Sequence, residues 1–325
     1  MKKVIAIVVT LALICGCLLA LTACESADFT VGICQLVTHD ALDQATQGFM
    51  DSLKTELQKA GKTVKFDLQN AQGDSNTCIT ITNVFAAKNV DLILANATAS
   101  LQAAQNATTT IPILGTSITD YKTALGIKGD FDGIVGGNIS GTSDLAPLDE
   151  QAKMIKDLYP TVKKVGLLYC SAEPNSQYQV DVMSAELSKL GIQTENFSFT
   201  DSNDIQTIAD NASSKCDALY VPTDNTAASC ANVIDSVCRA KKVPVFCGES
   251  GTCKGCGIVT LSISYYNLGV ETGKMAAKIL LGEQDISTMK ISYDTAPTKQ
   301  FNKEICDQIC EGLGITIPAD YVEIK

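Results

Sequence analysis

Asp91–Gln102 reads DLILANATASLQ: an apolar run, a small polar turn, then residues able to begin a helix. Asp217–Ser229, DALYVPTDNTAAS, repeats that plan with different polar groups. The likeness continues downstream, where Ile111–Ser117 (IPILGTS) is echoed by Val243–Ser250 (VPVFCGES). Each half thus runs strand, polar turn, helix, then a second strand introduced by an apolar residue and proline. In a parallel sheet such turns fall at the carboxyl ends of the strands, where ligands bind in open α/β folds. Two half-proteins facing each other place both sets of turns in one cleft.

The rest of the chain fits this plan. Phe29–Val37 is an apolar strand, and Thr38-His39-Asp40 leads into a helix over Ala41–Ala60 with Asp40 as its expected cap. Further strands are expected at Val64–Gln69, Asp91–Ala95, Ile111–Gly115 and Ile134–Ile139. The pattern then restarts: Lys164–Tyr169 (KVGLLY) shares the Val-Gly-apolar core of Thr30–Cys34 (TVGIC). A second series of strands and helices follows, including one helix over Asn225–Lys241 and another over Tyr266–Leu281 that stops at Gly282. This alternation predicts an α/β protein of two doubly wound, Rossmann-like parallel-sheet domains, with two or three crossings forming a hinge. The expected divisions are 29–141 with 265–289 for the first domain and 142–264 with 290–325 for the second.

The amino terminus is read separately. Lys2 and Lys3 followed by the apolar Val4–Leu21 make a secretory leader. A membrane-spanning helix is the competing reading. Leu21-Thr22-Ala23-Cys24 resembles a bacterial lipobox, which implies cleavage after residue 23, acylation of Cys24, and a tether over residues 24–28. The expected location is extracytoplasmic, held to the cell membrane by lipid.

The chain has 325 residues, 46% of them hydrophobic, and a formal charge of −11 that deepens by two once the leader is lost. No basic patch interleaved with aromatics is present, which argues against nucleic acid. Arg239 is the only arginine and sits within the expected 225–241 helix, so a bidentate arginine clamp is not expected. Of 14 cysteines, Cys15 and Cys17 leave with the leader and Cys24 is lipidated, leaving an odd number that cannot all pair. Most lie in apolar runs and read as small buried hydrophobes. Cys253-Lys254-Gly255-Cys256 is read as a turn outside the cleft; a disulfide, or a metal site completed by Cys306 and Cys310, is weighed beside free thiols. Neither metal nor cofactor is expected.

The strand ends offer the cleft Gln35, His39, Thr98, Ser100, Thr119 and Asp120 from the first domain. The second offers Glu173, Asn175, Ser176, Thr223, Asp224, Asn225 and Glu249. Thr98–Ser100 at a helix start suits a carboxylate. Asp224 and Glu249 suit an ammonium, which needs charged acceptors once desolvated. An anion site facing a cation site describes a zwitterion, such as an α-amino acid. Asp224, Thr98 and Ser100 can equally be helix caps, and both roles stay open. Of Tyr265 and Tyr266, one is expected to pack on the ligand and the other in the core.

Several stretches carry a resemblance: VGICQLVTHDALDQATQGFMDSL from Val31, FDLQNAQGD from Phe66, DLILANATASLQAAQNAT from Asp91, LLYCSAEPNSQYQVD from Leu167, DALYVPTDNT from Asp217 and YYNLGVETGKMAAKILLGE from Tyr265. Phe29–Leu281 is similar to the substrate-binding lipoproteins of ABC importers, in the group that includes carriers of tryptophan and other aromatic amino acids. The resemblance implies a type I periplasmic-binding-protein fold, no enzymatic activity, and delivery of solute to an ABC permease and its ATPase. Carried over by position, it implies ligand contacts from Gln35–His39, Thr98–Ser100, Thr119-Asp120, Glu173–Ser176, Thr223–Asn225 and Glu249. Thr119-Asp120-Tyr121 lacks the proline usual after that aspartate, and GESGTCKGCG replaces a cysteine-free loop. The rival functions are a sensor presenting solute to a signalling partner, and a thiol-dependent oxidoreductase using Cys253 and Cys256.

Overall fold

The computed structural model describes residues 27–293 and 296–325, so the expected leader, Cys24 and the start of the tether lie outside the described residues. The chain opens with β1 (Phe29–Gln35), α1 (Asp40–Lys59), β2 (Val64–Asn70), α2 (Ser75–Lys88), β3 (Leu92–Asn96) and α3 (Thr98–Ala107). It continues through β4 (Ile113–Ile118), α4 (Tyr121–Leu125) and β5 (Ile139–Ser143) before leaving the first domain. The second runs α5 (Leu148–Leu158), β6 (Lys164–Cys170), α6 (Pro174–Lys189), β7 (Gln193–Phe199), α7 (Ile205–Lys215) and β8 (Ala218–Val221). Then come α8 (Asn225–Ser229), α9 (Ala231–Lys241), β9 (Val245–Cys247), α10 (Ser250–Cys256) and β10 (Val259–Ser262). The chain returns to the first domain as α11 (Tyr265–Leu280) and β11 (Ser292–Tyr293). It ends in the second with β12 (Thr298–Phe301), α12 (Lys303–Leu313) and β13 (Val322–Glu323).

The strands form two sheets, ordered β11-β5-β4-β3-β1-β2 and β13-β12-β10-β9-β8-β6-β7. Every pairing in the first is parallel; in the second only β10–β12 is antiparallel. Strands such as β3 (LILAN) and β8 (ALYV) are buried throughout, as parallel strands covered by helices on both faces must be. In the first domain Val31, Ile33 and Leu94 pack with Phe49 and Leu53 on one face, while Cys34, Ile93 and Ala95 pack with Phe85 and Leu101 on the other.

Two expected boundaries move. β5 occupies Ile139–Ser143 instead of Ile134–Ile139, and β11 pairs with it through Ser292↔Thr142. Residues 142–143 and 292–293 therefore belong to the first sheet. The expected 225–241 helix is two, α8 and α9, meeting at Cys230, whose φ of −115° and ψ of 18° leave the helical region. Cys253 and Cys256 lie in helix α10 and not in a turn, because the Glu249 side chain caps the backbone N–H groups of Gly251 and Thr252.

α1 and α11 make a close seam. A Cβ on Gly269 would stand 2.0 Å from the Ala45 carbonyl oxygen, and one on Gly48 would stand 2.1 Å from that of Tyr266. Only glycine allows these two backbones to approach so nearly. The seam joins the first helix of the chain to the helix that follows the second crossing.

Candidate functional site

The carboxyl ends of both sheets face one another, and a cavity of about 270 Å³ lies between them. Leu36, Val37, Ala99 and Gln102 line it from the first domain; Glu173, Pro174, Asn175, Asn225 and Thr226 line it from the second. Contacts between the domains are few. His39 Nε2 and Asn225 Oδ1 are 3.2 Å apart. Lys254–Asp40, at 3.9 Å, is the one ion pair joining the domains among the described residues.

Each strand end positions its polar group by local geometry. After β8, Asp224 opens α8: one carboxylate oxygen accepts the Ala227 N–H at 2.7 Å and the other the Cys170 N–H at 2.6 Å. After β9, Glu249 opens α10 and also accepts the Thr252 hydroxyl. Both residues expected to receive an ammonium are thus helix caps as well. Glu173 binds most heavily. Its carboxylate takes the backbone N–H groups of Asn225 (3.1 Å) and Thr226 (2.8 Å), the Thr226 hydroxyl, and the side-chain amides of Asn225 and Asn175. Asn175 also donates to the Thr223 carbonyl at 3.2 Å. Ser176 is fully buried, close enough to Asp224 to favour its charged form, and its hydroxyl accepts from the Asn175 amide at 3.4 Å.

On the first domain, the candidates divide. Thr98 is buried at the first position of α3, whose preceding residue, Ala97, has no side chain able to cap it. Thr119 donates its hydroxyl to Asp144 at 3.1 Å. Ser100 turns away, with its hydroxyl 3.6 Å from the Cys34 thiol and 3.5 Å from that of Cys78. Gln35 is consumed in fastening β1 to α1: its amide donates to Val37 O and Asp43, and its carbonyl accepts from Thr46. Asp120 caps α4, accepting the Thr123 N–H at 2.7 Å. These three hold structure together, as short polar side chains at helix starts and buried turns commonly do.

One group not singled out from the pattern stands at the hinge. Asp144, 3% exposed, is the first residue past β5. Its second oxygen accepts the Tyr265 hydroxyl at 2.8 Å, so one carboxylate ties two interdomain crossings. Tyr266, by contrast, is 39% exposed and points at Asp51, so it is not the core residue expected of the pair. The available sequence signal was an acidic residue directly after a strand at a domain crossing.

Burial, chiefly, raises Asp144 to about 6, and the charge of Glu249 adds to it. Burial raises Asp224 to about 7, with the Glu173 charge second. Among the described residues no Lys or Arg pairs with Asp144, Glu173, Asp224 or Glu249 within 4.0 Å. Four strand-end and hinge carboxylates without a basic partner, one of them, Glu173, in the cavity wall, favour a ligand that carries positive charge.

Ten of the eleven described cysteines are buried, and Cys230 is half-buried. All eleven described ones are free, and Cys253 and Cys256 are 0% and 2% exposed. The fold does bring Cys306 within electrostatic reach of Cys253. Even so, among the described residues no group of three His, Cys, Asp or Glu is placed to hold a metal ion. Burial, first, raises the Cys253 thiol, the opposite of what a reactive thiolate needs. No described helix is long and apolar enough to cross a membrane.

Residues 30–322 match the family described as ABC transporter substrate binding protein. A tyrosine-binding protein of Clostridioides difficile is 34% identical over 288 residues, 86% of this chain and 83% of its own. A domain from Streptococcus pneumonia, solved in complex with L-Trp, is 32% identical and superposes with a TM-score of 0.82, covering 90% of this chain and 97% of its own. A ligand-free, open substrate-binding protein from Clostridium difficile is 35% identical, yet its TM-score is 0.68 at 91% and 99% coverage. The likeness is greater to the liganded form although sequence identity is slightly lower.

Proposed function

The chain belongs to the ABC transporter substrate binding protein family, and on that premise we propose that it captures an aromatic α-amino acid in the interdomain cleft and delivers it to a membrane permease. Members of the family work outside the cytoplasm as solute receptors and not as enzymes. The observation that carries the reading is the cavity of about 270 Å³ between the domains, walled by residues of both and by the Glu173 carboxylate, which has no basic partner. That volume falls just below the roughly 300–1,000 Å³ of drug-sized sites, which suits a small metabolite.

The ligand's ammonium is assigned to Asp144, supported by Glu249. An ionised carboxylate offers about four acceptor positions, and Asp144 uses two, on Thr119 and Tyr265. The carboxylate is assigned to the start of α3 at Thr98, where N–H groups lack a side-chain cap. The ring lies against Leu36, Val37, Ala99 and Pro174. The relatives named for tyrosine and solved with L-Trp support an aromatic side chain. Closure follows because one molecule engages both domains, whereas a half-ligand would leave desolvated polar groups unpaired.

Calorimetry and small-angle scattering on lipid-free protein test this with L-tyrosine, L-tryptophan, tyramine and 3-(4-hydroxyphenyl)propionate. The amino acids are expected to bind and compact the protein. Loss of either charged group should weaken binding by roughly 2–5 kcal/mol if its partners are buried. Equal binding and compaction by the deaminated compound would refute the assignment. The lipid anchor is proposed on Cys24, and Cys24→Ala is expected to move the protein from the detergent phase to the aqueous one.

A further inference from the structure

We propose that Ser117 donates its hydroxyl to the carboxylate of the bound amino acid, which makes it a binding residue outside the strand-end set read from the sequence. The proposal rests on the amino-acid reading above. Ser117 is 6% exposed, and its hydroxyl oxygen has no hydrogen-bond partner among the described residues. Its backbone is in the left-handed region at φ 56°, which a residue with a Cβ rarely occupies. The register between β4 and β5 shifts between Gly115 and Ile118, so this conformation marks an irregularity at the carboxyl end of β4.

Backbone strain and an unpaired buried hydroxyl are each unfavourable, and their coincidence on one residue points to a task that an ordinary strand would not perform. The location supplies the task. The Thr116 carbonyl accepts the N–H of Ala97 at 3.1 Å, so Ser117 stands beside the first turn of α3. Ala97 itself has φ 95° and only a methyl group, leaving that turn without a side-chain cap. Thr119, two residues on, hydrogen-bonds Asp144. One short segment therefore runs from the proposed carboxylate site to the proposed ammonium site, and Ser117 adds a hydroxyl donor to the N–H groups of α3.

Ser117→Ala removes the hydroxyl and keeps the strain; Ser117→Gly removes the hydroxyl and suits the φ, which guards against a variant that fails to fold. Calorimetry with L-tyrosine should show both variants weakened roughly ten- to hundredfold, the span of a hydrogen bond to a charged group. Tyramine, which has no carboxylate, should bind wild type and both variants within about twofold of one another. Ser117→Ala binding L-tyrosine as wild type does, or losing tyramine as severely as L-tyrosine, would overturn the proposal. Wild type binding neither L-tyrosine nor L-tryptophan would overturn it too, by removing the amino-acid reading beneath it.

Discussion

Glu173→Gln changes one atom in a side chain that is 9% exposed, yet it is expected to loosen the second domain's face of the cleft. The wild-type carboxylate places one oxygen before Asn225 N–H, Asn225 Nδ2 and Asn175 Nδ2, and the other before Thr226 N–H and the Thr226 hydroxyl. Glutamine must put its NH₂ on one side, where it meets donors and not acceptors. If it faces Thr226, the hydroxyl can turn to accept, but the Thr226 N–H is left unpaired. If it faces Asn225, the Asn225 N–H is left unpaired and two side-chain amides must swing away. One or two buried donors at about 1–3 kcal/mol each give a loss of about 2–4 kcal/mol. Relief of Asp224, which the Glu173 charge helps to raise, returns part of this. Two to four degrees per kcal/mol for a domain of this size makes the expected fall in Tm about 5–15 °C. Urea unfolding and thermal melting of ligand-free protein measure it. A Tm within about 1 °C of wild type, with an unchanged urea midpoint, would show that the carboxylate does not hold the 225–226 turn.

Ligand binding should release protons near pH 6, because an ammonium beside Asp144 lowers a group that burial has raised to about 6. Affinity should therefore rise from pH 5 to 7.5, and calorimetry in two buffers of different ionisation enthalpy should detect the proton. In the ligand-free protein the sign is opposite: Asp144 and Asp224, raised from 3.8 to about 6 and about 7, favour the fold below about pH 4. That contribution is lost as pH rises through their folded values, which urea titrations across the range should show. Gly269→Ala should cost about 3 kcal/mol or more, since its Cβ would meet the Ala45 carbonyl oxygen at 2.0 Å and no side chain can yield; a melt reads it directly. Cys253→Ser with Cys256→Ser should lower stability by about 1–3 kcal/mol per buried hydroxyl and leave L-tyrosine affinity within about threefold, as calorimetry would record.

The repeat of DLILANATASLQ in DALYVPTDNTAAS was sufficient to read two parallel α/β domains, because fully buried strands must be apolar throughout and their polar turns must follow. The site was only half legible. A polar residue after a strand looks the same in sequence whether it is left at an uncapped helix start, as Thr98 is, or caps a helix with its own side chain, as Asp120 does. The partners of Ser100 and Gln35, two thiols and the Asp43–Thr46 turn, are brought to them by packing and leave no mark in the local sequence. Asp144 left only the faint signal of an acidic residue after a strand, since its partners come from two chain crossings, and Ser117 left none, since it is marked by a backbone angle.

The glycine seam has a consequence for the order in which the chain can fold. Gly48 meets Tyr266, and Gly269 meets Ala45, across more than two hundred residues of intervening chain that contain five of the second sheet's seven strands. A chain delivered amino end first presents α1 long before α11 exists to cover it. The first domain, though begun first, is finished only after the second has largely been made, and its edge strand β11 arrives later still. Closing so distant a contact is slow by nature. For a protein that works outside the cytoplasm, such delay favours passage through a translocation pore as an extended chain, with completion of the first domain kept for the far side.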